Sequence, residues 1–213
     1  MQNLIDIGIY ILKGSVITFE LFFVTIILSI PVGFIFSLGK ISKFKILRVI
    51  LSAYTWFFRG TPLLLQLFFT YFGLPAIGIK FSPFTAAAIT FVLNYAAYFT
   101  EIFRAGLNSI DKGQYEAANV LGMNYFQTMV RIIIPQTFKR VIPPVCNEGI
   151  SLVKDTALVS VIGMAEILRN AKEIVTREFI ITPFIVAAVV YLLATTILVS
   201  LFNHLENKYL SYE

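Results

Sequence analysis

Five ionisable residues stand inside stretches otherwise built from Leu, Ile, Val and Phe: Arg59, Glu101, Glu148, Lys154 and Asp155. A charge at the centre of a lipid-facing helix costs about 2.5–3.5 kcal/mol, so four or five of them would cost on the order of 10–17 kcal/mol. That is as much as the whole stability of an ordinary domain. These groups must therefore face a bundle interior or a watery cavity. Their spacing agrees. Arg59 and Gln66, Asn94 and Glu101, and Glu148 and Asp155 are each seven residues apart, close to two helical turns, which puts each pair on one helix face. Thr61 and Ser151 add hydroxyls beside them. Three segments thus present polar stripes, as the walls of a path for a polar solute would. The structural alternative is a set of ion pairs that lock helices together, such as Arg59 with an acid, or Glu101 with Arg104 three residues on. The path is favoured because residues 147–155 carry too many polar groups for packing alone.

The elements that hold these stripes follow from composition. The chain has 213 residues, 58% hydrophobic and only 14% charged, against about 45–50% and about 25% in a soluble domain. So large an apolar excess needs lipid as part of its solvent. A disordered tail, a collagen, a disulfide-stapled module and a large multidomain enzyme are all excluded. One cysteine, Cys146, and one histidine, His204, permit neither an internal disulfide nor a Cys/His zinc site, and no metal site is expected. The net charge of +5 would suggest nucleic acid in a soluble protein. Here the placement of each cation matters more, and no nucleic-acid partner is expected.

The spacing of the apolar runs predicts an all-α, polytopic membrane protein: a single domain with five transmembrane helices, about 16–38, 49–74, 84–103, 142–161 and 182–202. Residues 1–13 read as an interfacial amphipathic helix with Ile5, Ile9 and Leu12 on one face, without the marks of a signal peptide. Pro31 marks a kink in the first span, and Pro62, Pro143 and Pro144 break the backbone near the polar stripes. The loops on one side, 39–48 and 104–140, with Lys208, hold ten Lys and Arg; the other side holds five: Lys13, Lys80, Arg169, Lys172 and Arg177. The richer side is cytoplasmic, which places the N-terminus outside and the C-terminus inside.

The longest polar stretch, about 104–140, carries Glu116-Ala117-Ala118, then Gly122, then Ile132, Ile134 and Pro135. This resembles the cytoplasmic loop of the permease subunits of bacterial ABC importers, E-A-A, three residues, G, nine residues, I-x-L-P, with Ile134 standing where the pattern has Leu. Three further strings resemble the polar amino-acid branch of that family: Arg59 to Gln66 (RGTPLLLQ), Tyr98 to Gly106 (YFTEIFRAG) and Leu152 to Leu158 (LVKDTAL). The resemblance covers about residues 15–205. It implies a coupling helix that docks on a separate ATPase dimer, a second permease copy, identical or related, and an extracytoplasmic solute-binding protein.

The residues fit that assignment physically. Ala117, Ala118 and Gly122 are small, so a partner surface can come close. Glu116 at a helix start suits the positive helix end, and Pro135 stops the helix and turns the chain back toward the membrane. No phosphate cradle of the P-loop type is present: the nearest string, Gly33 to Ile41, has the wrong spacing. ATP and magnesium are therefore expected on the partner ATPase and no cofactor on this chain, which is a transport subunit and not an enzyme. An amino acid brings a carboxylate that Arg59 could take in a two-pronged hydrogen bond, and an ammonium or cationic side chain that Glu148 or Asp155 could take. Acids outnumber bases in the spans, which points to a neutral-polar or basic amino acid such as glutamine, histidine or arginine. Two alternatives stay open: an ATP-independent secondary transporter or channel with the same stripes, and an intramembrane enzyme using two acids.

Overall fold

A computed structural model describes residues 4–210, and the side chains of 208–210 are outside the described set, Lys208 among them. Every regular element among the described residues is helical. In chain order they are α1 (Leu4–Lys13), α2 (Ser15–Lys40), α3 (Lys45–Gly60), α4 (Leu63–Phe68), α5 (Pro83–Asn108), α6 (Lys112–Val120), α7 (Tyr125–Thr128), α8 (Ile134–Asp155), α9 (Ile167–Glu178) and α10 (Thr182–Leu210). A π-helical turn, Phe69–Gly73, and a 3-10 turn, Leu74–Ile77, extend α4; a second 3-10 stretch, Thr156–Ile162, extends α8.

The core forms where α2 and α5 run side by side. Leu21 and Phe22 of α2 meet Phe91, Phe99 and Phe103 of α5, and Leu152 and Val153 of α8 close the third side. Gly33 lets the first two helices touch: a Cβ there would stand 2.6 Å from the Phe99 Cβ and 3.1 Å from the Ala96 carbonyl. Ser82 starts α5 by accepting the Thr85 N–H at 3.2 Å, with Pro83 in the first turn, where its missing N–H costs nothing.

Among the described residues, three helical stretches are long and apolar enough to cross a membrane: Leu4–Lys40, Pro83–Asn108 and Thr182–Asn207. A fourth span exists if the bent pair Lys45–Gly60 and Leu63–Ile77 counts as one. The expected helix over 49–74 is therefore two helices meeting at 102°. Pro62 removes a helical donor and pushes Thr61 to an extended conformation, φ −112° and ψ 146°. The expected helix over 142–161 belongs to α8, which starts eight residues earlier; its 22 residues span about 33 Å at 1.5 Å each, but Lys139, Arg140, Glu148, Lys154 and Asp155 leave it too polar to be counted by composition. Pro143 and Pro144 do not break it, and Pro31 does not interrupt α2; neighbouring helices and local adjustment absorb a lost hydrogen bond in such bundles.

The opposite end from α6 is a layer of α1, α9 and the start of α10. Here α1 buries Ile7 and Ile11, while Ile5, Ile9 and Leu12, expected on its apolar face, stay exposed. The reason is a partner the sequence did not show: Ile167, Ala171 and Ile174 of α9 pack on that other face. Glu166 caps α9, accepting the N–H groups of Leu168 at 2.7 Å and Arg169 at 2.5 Å and the Tyr191 hydroxyl at 2.7 Å. Burial pushes its carboxyl above the usual carboxylate range, and those three donors pull it back.

The loop over 104–140 is mostly helical. α5 runs one turn further than expected, and Asp111 starts α6 by accepting the Gly113 N–H at 2.6 Å. Glu116 therefore lies in the middle of α6, not at its start. Pro135 does not stop a helix but stands in the first turn of α8, a position that tolerates a missing N–H. Gly122 ends α6 with φ +72°, and Met123 N–H reaches back to the Ala118 carbonyl at 3.0 Å. Its role here is a left-handed turn that a side chain would disfavour.

Candidate functional site

The 102° break between α3 and α4 exposes backbone within a stretch apolar enough to span a membrane, where unsatisfied carbonyls are costly. Two amides satisfy them. The Gln66 side chain donates to the Phe58 carbonyl at 2.9 Å, the Thr61 carbonyl at 3.1 Å and the Thr61 hydroxyl at 2.8 Å. Asn94 of α5 donates to the same Phe58 carbonyl at 2.9 Å and to the Gln66 Oε1 at 3.0 Å. The break is thus held open by a closed polar network, and both amide side chains are buried.

Beside that network lies a cavity of about 440 Å³, within the size range of small-ligand sites. Three elements build it. The break gives Arg59, Gly60, Thr61, Pro62 and Leu63; α5 gives Asn94, Tyr95 and Tyr98; α8 gives Glu148, Ser151 and Asp155. The guanidinium of Arg59 stands 5.3 Å from the centre of the Tyr98 ring, a cation–π distance that holds it over the cavity. Tyr95 donates its hydroxyl to Asp155 Oδ2 at 2.8 Å, which fixes that carboxylate and leaves its other oxygen free to accept. One cation and two carboxylates thus face one space, and a zwitterion needs both signs within reach.

Of the nine residues singled out as pathway lining, six meet there: Arg59, Thr61, Asn94, Glu148, Ser151 and Asp155. Gln66 sits behind the wall and shapes it, because the break separates it from the Arg59 face. Glu101 lies elsewhere. Its carboxylate joins Lys40 at the end of α2 and Arg104 on its own helix, the latter at 2.8 Å, and Lys40 also donates to Thr55 of α3 at 2.8 Å. Lys154 turns to a separate apolar groove between α8 and α10 with Ala157, Leu168 and Tyr191. Tyr95 and Tyr98 were missed in the sequence. Tyr98 shares the Asn94–Glu101 face of α5 and could have been found by that spacing; Tyr95 could not, since only the fold brings Asp155 to it. Among the described residues no three His, Cys, Asp or Glu side chains stand together as a metal site would need.

A second surface projects from the other end of the bundle. Leu107, Ile110, Met129 and Ile133 anchor it, and Arg140 binds the Ser109 carbonyl and its hydroxyl. Glu116 and Ala117 are exposed on α6, but Ala118 is fully buried within this chain, so of the two alanines only Ala117 offers a close approach to a partner. Val120, Leu121, Tyr125 and Phe126, not singled out before, are 88%, 77%, 70% and 73% exposed. Four large apolar side chains around one turn form a knob with no cover among the described residues.

Residues 21–211 match the family described as the inner membrane component of binding-protein-dependent transport systems. A probable amino-acid ABC transporter permease of Bacillus subtilis is 42% identical over 204 residues, covering 95% of this chain and 90% of the relative. The permease of an arginine transport system from the same organism is 41% identical, covering 93% and 92%. A putative glutamine transport permease of Rickettsia felis is 40% identical, covering 89% and 88%. The solved structure of an amino acid ABC transporter with histidines superposes with a TM-score of 0.90 at 35% identity, covering 96% of each chain. An inward-facing methionine ABC transporter shares the fold, with a TM-score of 0.74 at 17% identity over 93% and 94%.

Proposed function

Because this chain belongs to the family of binding-protein-dependent transport system inner membrane components, we propose that the Arg59–Glu148–Asp155 cavity is its solute station. The chain is a permease subunit of an ABC importer for polar amino acids and a multi-pass protein of the cell membrane. The observation that carries the proposal is the meeting of a guanidinium and two carboxylates in one cavity. Arg59 takes the solute carboxylate in a two-pronged hydrogen bond. Asp155, oriented by Tyr95, and Glu148 take the ammonium, or the cationic or amide side chain. Two acids against one base favour a basic or neutral-polar amino acid, in keeping with the arginine and glutamine systems of the relatives.

The knob around Gly122 faces the cytoplasm and docks on a separate ATPase pair, which binds ATP and its magnesium; this chain holds neither. The N-terminus lies outside, where a solute-binding protein delivers its cargo, and the C-terminus inside. α6 is a lever. Its anchor on α5 and α8 ties it to the two helices that carry Asn94, Tyr95, Glu148 and Asp155, so a push on the knob reaches both walls of the cavity. Closing of the ATPase pair rocks the helices and opens the cavity outward; release reopens it inward.

Uptake by proteoliposomes containing the permease, its ATPase and its binding protein tests this. Labelled arginine or glutamine should accumulate only with ATP inside the ATPase compartment and binding protein on the other face. Accumulation that ignores ATP would overturn the coupling, and leave an ion-driven carrier.

A further inference from the structure

Glu166 is fully buried and lies outside the solute cavity. It caps α9, yet a cap alone asks for a short acceptor such as Ser, Thr, Asp or Asn. Burying a carboxylate is costly, so the extra length of Glu has a second use. The Oε2 that takes the Leu168 N–H also takes the Tyr191 hydroxyl of α10, each at 2.7 Å. Beside that hydroxyl stand the Thr156 and Thr18 side chains, both fully buried and within hydrogen-bonding reach of it. Four segments thus meet at one oxygen: α2 through Thr18, the 3-10 stretch after α8 through Thr156, α9 through Glu166 and α10 through Tyr191. The corner has no slack behind it. A Cβ at Gly14 would stand 2.5 Å from the Glu166 carbonyl carbon, so the joint between α1 and α2 is closed on its backbone.

Thr156 directly follows Asp155, at the point where α8 tightens into its 3-10 stretch. Its hydroxyl also donates to the Val153 carbonyl at 2.6 Å, which ties it to the last turn of α8. The two helix forms differ by about 20° of rotation per residue, and a binding group must be held to within about 10–20° to work. Where the tightening begins therefore decides where the Asp155 carboxylate points, and Tyr95 can hold that carboxylate only if it points the right way. We propose that Glu166 is a positioning residue for the solute cavity: through Tyr191 and Thr156 it fixes the end of α8 and so the aim of Asp155. The inference rests on the reading of that cavity as the solute station and adds a residue that acts on it without touching solute.

Two variants separate this role from capping. Glu166→Asp keeps a good cap but is one methylene too short for Tyr191; Tyr191→Phe removes only the hydroxyl. ATP-driven uptake of labelled arginine is measured per assembled transporter, in proteoliposomes with the ATPase and binding protein, in the wild-type and Asp155→Asn backgrounds. Each single variant should lower uptake roughly 5- to 10-fold, and the pair together should fall no further than one, because both cut the same link. In the Asp155→Asn background neither should change uptake by more than about 2-fold, since no carboxylate is left to aim. A merely structural corner would cost the same in both backgrounds, and that result would overturn the proposal. Wild-type uptake in either single variant would overturn it too, while leaving the solute station standing. Wild-type uptake in Asp155→Asn alone would instead refute the station, and the proposal with it.

Discussion

Lys40 and Glu101 are 10% and 15% exposed at their side chains and form an ion pair that also includes Arg104 and Thr55. Glu101→Gln should leave the Lys40 ammonium buried without its counter-charge. Stranding one partner of a fully buried pair costs about 3–5 kcal/mol. Partial exposure reduces that, so about 2–3 kcal/mol is expected here. For a chain of this size the loss lowers a thermal midpoint by roughly 4–12 °C. The assay is thermal unfolding in detergent, with ATP-driven uptake measured alongside. The double variant Lys40→Met with Glu101→Gln removes both charges and should recover most of the midpoint and most of the uptake, because the ion pair ties helices together and does not touch solute. An unchanged midpoint in Glu101→Gln would refute the burial argument. A double variant that regains stability but not uptake would return Glu101 to the solute path.

Further outcomes follow from the same contacts. Gln66→Leu leaves the Thr61 carbonyl without its amide donor at the break, at about 1–3 kcal/mol for a buried unsatisfied group; uptake should fall while the ATPase still co-purifies. Gly33→Val drives side-chain atoms into Phe99 and should abolish the folded fraction seen by gel filtration, whereas Gly8→Ala, with open space around it, should change nothing. Ala117→Trp should prevent co-purification of the ATPase with little change in the permease midpoint. Ala118→Trp, at a fully buried site, should lower that midpoint first.

The all-helical fold was legible in the sequence because lipid enforces it: runs such as Thr182 to Phe202 have one use. The polar stripes were legible because charge in lipid needs a reason. The two faces of a helix were readable only where it stays whole. Glu148 and Asp155 share the cavity because α8 passes Pro143 and Pro144 unbroken, while Arg59 and Gln66, at the same spacing, part company at Pro62. Tertiary partners decided the rest. The α9 surface chose Ile7 and Ile11 over Ile5 and Ile9, Lys40 drew Glu101 away from the cavity, and Gly122 makes a left-handed turn that its spacing in the sequence did not announce.

Asp155 carries the central claim, since Tyr95 aims it into the cavity and no other hydrogen bond holds its carboxylate among the described residues. Substitution by Asn keeps the shape and removes the charge. Loss of one charge-assisted hydrogen bond, about 1.5–3 kcal/mol, corresponds to roughly a 10- to 150-fold fall in transport efficiency. In proteoliposomes with ATPase and binding protein, Asp155→Asn should show that fall in labelled amino-acid uptake while basal ATP hydrolysis and assembly persist. Uptake at the wild-type level would contradict the account, because the cavity would then not be where the solute passes.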